Sequence, residues 1–234
     1  MSLDSLGLSM LRLLDAERAH GLALKALAAG LVPGDRTGDP PALATTVFGR
    51  RFPNPIGVAA GFDKHCAALA ATFRLGPGFV EIGGVTPRPQ PGNPKPRLFR
   101  LPEDRGVINR FGFNSEGHAA VAARLKAARA AGVTVVVGVN LAVNKESPDP
   151  AGDYAQGVAA FGADADFLTI NVSSPNTAGL RDLQGEKALA ALLERSTAAL
   201  AALAGPEKPA LLVKVAPDLD AAAIAAIADV VLSF

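Results

Sequence analysis

Cysteine is nearly missing from this 234-residue chain: Cys66 stands alone, which excludes an internal disulfide and fits a reducing, cytoplasmic compartment. Histidine is scarce too. His20, His65 and His118 lie far apart and show none of the spacings of a metal-ligand set, so no metal is expected. A dominant sign of charge is also lacking: the net charge is +1 and the basic residues are scattered, unlike the clustered footprint of a nucleic-acid binder. No nucleic-acid partner is expected. Long apolar runs are absent because charges such as Glu194 and Arg195, or Asp220 and Asp229, break the Ala/Leu stretches below the roughly 18 residues of a membrane span. The first residues carry no compact apolar run with a small-residue cleavage site, so no signal peptide is expected. Nor does a Ser/Gly-rich linker divide the chain.

What is present is 49% hydrophobic content, enough for one large core. The expectation is one domain with an N-terminal extension. Leu11, Leu14, Leu22, Leu27 and Leu31 alternate with Arg12, Asp15, Glu17, Arg18 and Lys25, the pattern of one or two amphipathic helices ending near Gly30 and Pro33. Such helices either pack on the main domain or present an apolar face to a membrane surface or a hydrophobic access port. After Pro55, β-rich runs at 56–60, 79–82, 134–141, 166–172 and 211–216 alternate with helical stretches at 66–73, 116–131, 154–161, 185–204 and 220–232. This is the signature of βαβ units around a parallel sheet. Residues 87–114, rich in Pro and Arg, interrupt it with an excursion of the size of lids and binding loops. The polar motifs cluster at strand exits or in the excursion, as in a (β/α)₈ barrel. An open doubly wound sheet places ligands similarly, but the turn after the first strand reads Ala60-Gly-Phe-Asp-Lys64, without a dinucleotide fingerprint.

Asn171-Val-Ser-Ser-Pro-Asn176 follows the fourth run and sets two amides and two hydroxyls at its exit; it is a ligand-facing loop or a simple turn. Ala59-Ala-Gly-Phe-Asp-Lys64 lets a flat ligand approach the backbone, with Lys64 either a rim cation or a solvated charge. Glu81-Ile-Gly-Gly-Val-Thr-Pro87 is a weak glycine-rich signal. Val107-Ile-Asn-Arg-Phe-Gly-Phe-Asn114 places two asparagines around an aromatic pair, suited to the imide-like edge of a heterocycle. Asn140 in Gly138-Val-Asn-Leu141 fits a ligand contact or a structural hydrogen bond equally. Lys214 interrupts Leu212-Val-Lys-Val-Ala-Pro217, a strand expected to be buried on both faces, where an ammonium demands an anionic or electron-rich partner.

Together with Leu14-Asp-Ala-Glu-Arg-Ala-His20, Thr86-Pro-Arg-Pro-Gln-Pro-Gly-Asn93 and Lys214-Val-Ala-Pro-Asp218, these motifs resemble the dihydroorotate dehydrogenases, specifically the quinone-dependent, membrane-associated class 2. The resemblance implies a TIM-type barrel that oxidises dihydroorotate to orotate in pyrimidine biosynthesis, passing hydride to FMN and electrons to a quinone. It assigns the base to Ser174, where class 1 relatives carry cysteine. It assigns cofactor contacts to Ala60, Gly61, Phe62, Asp63, Lys64, Gly84, Asn140, Asn171 and Lys214. Substrate contacts fall on Lys64, Asn109, Arg110, Phe111, Gly112, Phe113, Asn171 and Asn176. By the same resemblance residues 1–32 are an extension on the quinone and membrane side, residues 45–234 a partial barrel, and the protein peripheral on the cytoplasmic face of the cell membrane.

Two departures stand out. Gly84 occupies the position of a flavin-contacting threonine in some relatives, a hydrogen bond either lost or taken over by Thr86. More importantly, a complete barrel takes about 250 residues, whereas about 180 follow Pro55, so the barrel is expected to stop after the fifth strand-helix unit, before the phosphate-binding loops. The alternatives left open are a silent fragment of this enzyme and a soluble class 1 enzyme.

Overall fold

The computed structural model describes residues 3–35, 37–177 and 179–234. Two helices come first, α1 (Leu3–Arg12) and α2 (Ala16–Ala28), separated by Asp15, whose carboxylate accepts the N–H groups of Glu17 and Arg18 and so starts α2. A hairpin of β1 (Thr45–Val47) and β2 (Arg50–Phe52) leads to β3 (Gly57–Val58), α3 (Leu69–Phe73) and β4 (Phe79–Val85). The excursion contains a second antiparallel hairpin, β5 (Leu98–Leu101) with β6 (Gly106–Asn109). Then follow α4 (His118–Ala130), β7 (Val136–Leu141), α5 (Pro150–Phe161), β8 (Phe167–Asn171), α6 (Glu186–Ala201), β9 (Ala210–Lys214) and α7 (Ala221–Leu232).

Strands β3, β4, β7, β8 and β9 form one parallel sheet in chain order. A doubly wound sheet reverses its order part-way; an unbroken sequence of right-going βα units is the barrel arrangement. The chain thus holds five strand-helix units of a TIM-type fold. Both hairpins are too short to announce themselves as alternating patterns, which is why sequence periodicity misses them. The helix expected at 66–73 begins only at Leu69, because Cys66 takes φ 56° and Asp63 binds the N–H groups of Ala67 and Ala68. The first strand is likewise shorter than expected.

Alternation along each strand separates two faces. Val80, Ile82, Val137, Val139, Leu141, Leu168 and Ile170 are buried toward the helices, where Val121, Leu125, Tyr154, Val158, Phe161, Leu189 and Leu192 complete the core. Toward the barrel axis the bottom layer is aromatic: Phe79 meets Phe52 and Phe167 edge to face, at 5.6 and 6.1 Å between centroids. Room for these rings comes from glycine on the paired strand. A Cβ on Gly57 or on Gly138 would lie 2.1 Å from the ring of Phe79 or Phe167 respectively. The same alternation brings polar residues to the inner face one and two layers higher.

The N-terminal helices sit on this frame at α3 and the second hairpin. Leu27 packs on Ala68 and Ala71. Arg100 of β5 donates to the carbonyls of Leu11, Arg12 and Leu14, satisfying the open C-terminal end of α1. Outward, Leu13 and Leu31 are 87% and 76% exposed, and Leu8, Met10 and Leu22 are exposed beside them. Among the described residues no helix is long and apolar enough to cross a membrane.

The glycine contrast is testable by denaturant unfolding of the chain. Gly138→Ala should cost about 1–3 kcal/mol through overpacking against Phe167. Gly21→Ala, inside α2 with nothing within 4 Å of the added methyl, should instead gain about 0.5–1 kcal/mol. Similar effects of the two substitutions would contradict the packing described.

Candidate active site

Strand alternation and register put Glu81 of β4, Asn140 of β7 and Asn171 of β8 on the inner face, where they form a directed chain of hydrogen bonds. Asn140 Nδ2 donates to Glu81 Oε1 at 2.9 Å, and Asn171 Nδ2 donates to Asn140 Oδ1 at 2.8 Å. Asn171 Oδ1 then accepts from the backbone N–H and hydroxyl of Ser173 at 3.1 and 2.7 Å. At the other end Glu81 Oε2 accepts the N–H of Ala60 at 3.3 Å. Both amides are buried. Each uses one of its two N–H groups inside the chain, so each keeps one for a ligand.

Lys214 pairs in register with Asn171 and joins this rim. It stands at the carboxyl end of β9 and is exposed in this structure. The rim is nonetheless donor-rich: two spare amide N–H groups and an ammonium face one side of a cleft. Such a set complements the electron-rich edge of a planar heterocycle.

After β8 the chain turns through Ser174, Pro175 and Asn176. Ser174 is half-buried, and its Oγ accepts the N–H of Asn176 at 3.2 Å. The excursion closes over this loop: Asn176 Nδ2 reaches the carbonyl of Asn109 at 3.5 Å, and Asn93 Nδ2 reaches the carbonyl of Asn176 at 3.4 Å. Asn93 is in turn held by Arg97, which donates to its carbonyl at 3.0 Å and to that of Pro91 at 2.5 Å.

Phe111 carries two cations. Lys64 Nζ lies 4.2 Å from its ring centroid and the Arg97 guanidinium 5.1 Å. Lys64 also donates to Asn114 Oδ1 at 2.8 Å. Burial, reinforced by Arg97 and opposed by Glu17, lowers the Lys64 ammonium to about 8. Glu17 of α2 grips Arg97 with both oxygens, at 2.7 and 3.1 Å, and this pairing holds its carboxyl below the usual range. His20 of the same helix donates from Nε2 to the carbonyl of Phe62 at 2.8 Å. The lone thiol plays no part: burial pushes Cys66 up to about 12.

These groups enclose a cleft of about 740 Å³ at the carboxyl ends of the strands. Of the residues to which the resemblance assigns a role, Ala60, Gly61, Phe62, Lys64, Gly84, Asn109, Phe111, Gly112, Phe113, Asn140, Asn171, Ser174, Asn176 and Lys214 line it. Two do not. Asp63 turns into the protein to bind the N–H groups of Ala67 and Ala68, and Arg110 points to the carbonyl of Pro96. Thr86 does not replace the hydroxyl missing at Gly84, since its Oγ1 donates to the carbonyl of Arg88.

Glu17, His20 and Arg181 line the cleft without having been assigned to it from sequence, Ser173 joins them from the loop already singled out, and Glu81 and Arg97 support it. Glu81 carried a signal, a carboxylate inside a strand, of the same kind that drew attention to Lys214. Glu17 and Arg97 stand 80 positions apart, and no local pattern links them.

A sequence profile described as dihydroorotate dehydrogenase matches residues 42–234. The chain belongs to the dihydroorotate dehydrogenase family. The protein named dihydroorotate dehydrogenase (quinone) from Rhodospirillum rubrum is 57% identical over 219 residues, which are 94% of this chain and 59% of that protein. Its namesake from Cereibacter sphaeroides is 54% identical, covering 99% of this chain and 64% of its own length. The mitochondrial enzyme of that name from Mus musculus is 53% identical, covering 90% and 54%. The crystal structure of Eimeria tenella DHODH in complex with ferulenol superposes with a TM-score of 0.90 at 39% identity, over 94% of this chain and 64% of that one. The chain therefore spans about six-tenths of the length of the relatives it matches.

The lowered Lys64 gives a sign that can be measured. An unfolded lysine keeps its proton to about pH 10.4, so between about 8 and that value the unfolded chain binds the extra proton and stability rises with pH. Unfolding midpoints of the wild type and Lys64→Met, taken at pH 7 and 9.5, should show the wild type gaining on the variant at the higher pH. A constant gap would mean that Lys64 titrates as in water.

Proposed function

We propose that this chain forms the catalytic face of a quinone-dependent enzyme that oxidises dihydroorotate to orotate, with FMN as the resident cofactor. The observation that carries the reading is Ser174: it stands in the loop after β8, beside the buried amide of Asn171, within the same cleft as Lys64, Asn109 and Phe111. The names of the relatives support the reaction and the acceptor.

The donor set suits FMN. Spare N–H groups on Asn140 and Asn171 and the Lys214 ammonium match the N1–O2 edge of an isoalloxazine, where reduction places negative charge. Gly61 adds open space, with nothing within 4 Å of where a Cβ would stand. Phosphate-binding loops in such barrels follow strands seven and eight and so lie outside the five strands described. When bound, FMN would accept the hydride from C6 of the substrate and pass electrons to the quinone.

The residues of the chain do the remaining work. Lys64 supplies the cation for an anionic substrate, and Asn109 and Asn176 supply amides for its carboxylate and ring edge. Ser174 removes the C5 proton. A serine hydroxyl is a weak base, so its own proton must move on as the new one arrives. Its Oγ already accepts the Asn176 N–H, and among the described residues no acceptor takes its proton, which leaves that step to water in the cleft. Residues 1–32 are read as the quinone-side extension and residues 45–234 as the barrel portion. The exposed leucines of α1 and α2 support a peripheral contact with the cytoplasmic face of the membrane.

The test is Ser174→Ala in the protein completed to the length of its relatives. Flavin content should be unchanged while anaerobic reduction by dihydroorotate slows by about 100- to 10,000-fold. Equal reduction rates in stopped flow would remove Ser174 from the mechanism.

A further inference from the structure

The barrel does not supply every charge that faces its own cleft. Lys64 Nζ and the Arg97 guanidinium approach the same Phe111 ring, at 4.2 and 5.1 Å. Two cations held this close disfavour each other's charged form. Arg97 is 7% exposed, with its Nη1 committed to the carbonyls of Pro91 and Asn93, so it has little freedom to move away. Its remaining contacts, from Nε and Nη2, go to the two oxygens of Glu17. Glu17 belongs to α2, outside the barrel, and lines the cleft.

We propose that Glu17 is a positioning residue of the substrate pocket: as the counter-ion of Arg97, it lets Lys64 keep its proton where an anionic substrate has to be held. This deepens the reading of Lys64 as the substrate's cation and rests on it. The other groups around Lys64 do not take over the task. Asn114 and Phe111, from the excursion, are uncharged. On the lysine's own loop, Asp63 is tied to two backbone N–H groups, and His65 follows with burial lowering its affinity for a proton. On α2, His20 is engaged with the Phe62 carbonyl. Lys95, from the excursion, reaches the Glu17 carboxylate at 3.2 Å and adds positive charge, not negative.

One consequence concerns the N-terminal helices. Their removal would withdraw the carboxylate from the substrate side of the protein as well as any contact on the quinone side. The effect would be graded with pH, because it acts through a proton on Lys64.

The decisive experiment follows the Lys64 side chain by ¹³C NMR of the lysine-labelled holoenzyme, completed to the relatives' length, with Lys64→Met used to assign the signal. In Glu17→Gln the Lys64 midpoint should fall from about 8 by about one pH unit, a tenfold change in its protonated fraction above the midpoint. Glu17→Asp, which keeps the charge, should hold the midpoint nearer the wild type. Glu17→Gln combined with Arg97→Gln should bring it back up, an outcome a merely structural role would not produce. An unchanged or raised midpoint in Glu17→Gln overturns the inference, and so does a double variant that stays as low as the single one.

Orotate affinity, measured by flavin difference spectra, separates this inference from the functional reading. It should weaken in Glu17→Gln by about tenfold at pH 8.5 and by less than about twofold at pH 6, following the loss of the Lys64 proton. A midpoint that falls while orotate affinity stays flat with pH would overturn Lys64 as the substrate's cation, and with it the role given to Glu17 in the pocket.

Discussion

A carboxylate on the inner face of a barrel sheet has to be answered by donors, and Glu81 is answered by the side chain of Asn140 and the backbone of Ala60. That single demand orients much of the site. With its Nδ2 drawn to Glu81, Asn140 turns Oδ1 toward Asn171, and Asn171, donating there, turns its own oxygen toward Ser173. Orientation is thereby passed across three parallel strands to the start of the loop that carries Ser174. Hydrogen bonds linked in this way polarise one another, and each amide in the row has one defined orientation. Tyr154 secures the far end from the helix layer, donating to the carbonyl of Asn171 at 2.7 Å.

The second organising element is Arg97. It fastens the excursion to itself through Pro91 and Asn93, stacks on Phe111 and takes Glu17 from the N-terminal helix. The cleft consequently has a rigid wall built from the sheet and a second wall assembled from segments distant in sequence. The first wall carries spare amide donors and the Lys214 ammonium, and the second carries Lys64 and Arg97. This division suits a ligand pair in which one partner is a flat ring lying along the strands and the other a small anion under the excursion.

Much of this was legible in the sequence because barrel strands alternate and end in loops. The five strand-helix units follow from apolar runs and turn residues, and Asn140, Asn171 and Lys214 stand out as polar residues inside apolar strands. Lys214 was singled out on the premise of burial on both faces. In the structure Lys214 is exposed on β9, and it does line the cleft. Glu81 showed the same signal and was obscured by the glycines that follow it. The false start of α3 had no sequence warning, because it depends on Cys66 at positive φ and on the turn of Asp63 into the protein. Glu17 and Arg97 were not legible at all, because the bond between them exists only once the excursion has folded back on α2.

The measurement that tests the account most directly is the visible spectrum of the completed protein with FMN, recorded anaerobically while dihydroorotate is added and then a quinone analogue. The account predicts that the flavin band bleaches with dihydroorotate and returns with the quinone. A protein that holds its flavin but shows no bleaching would contradict it.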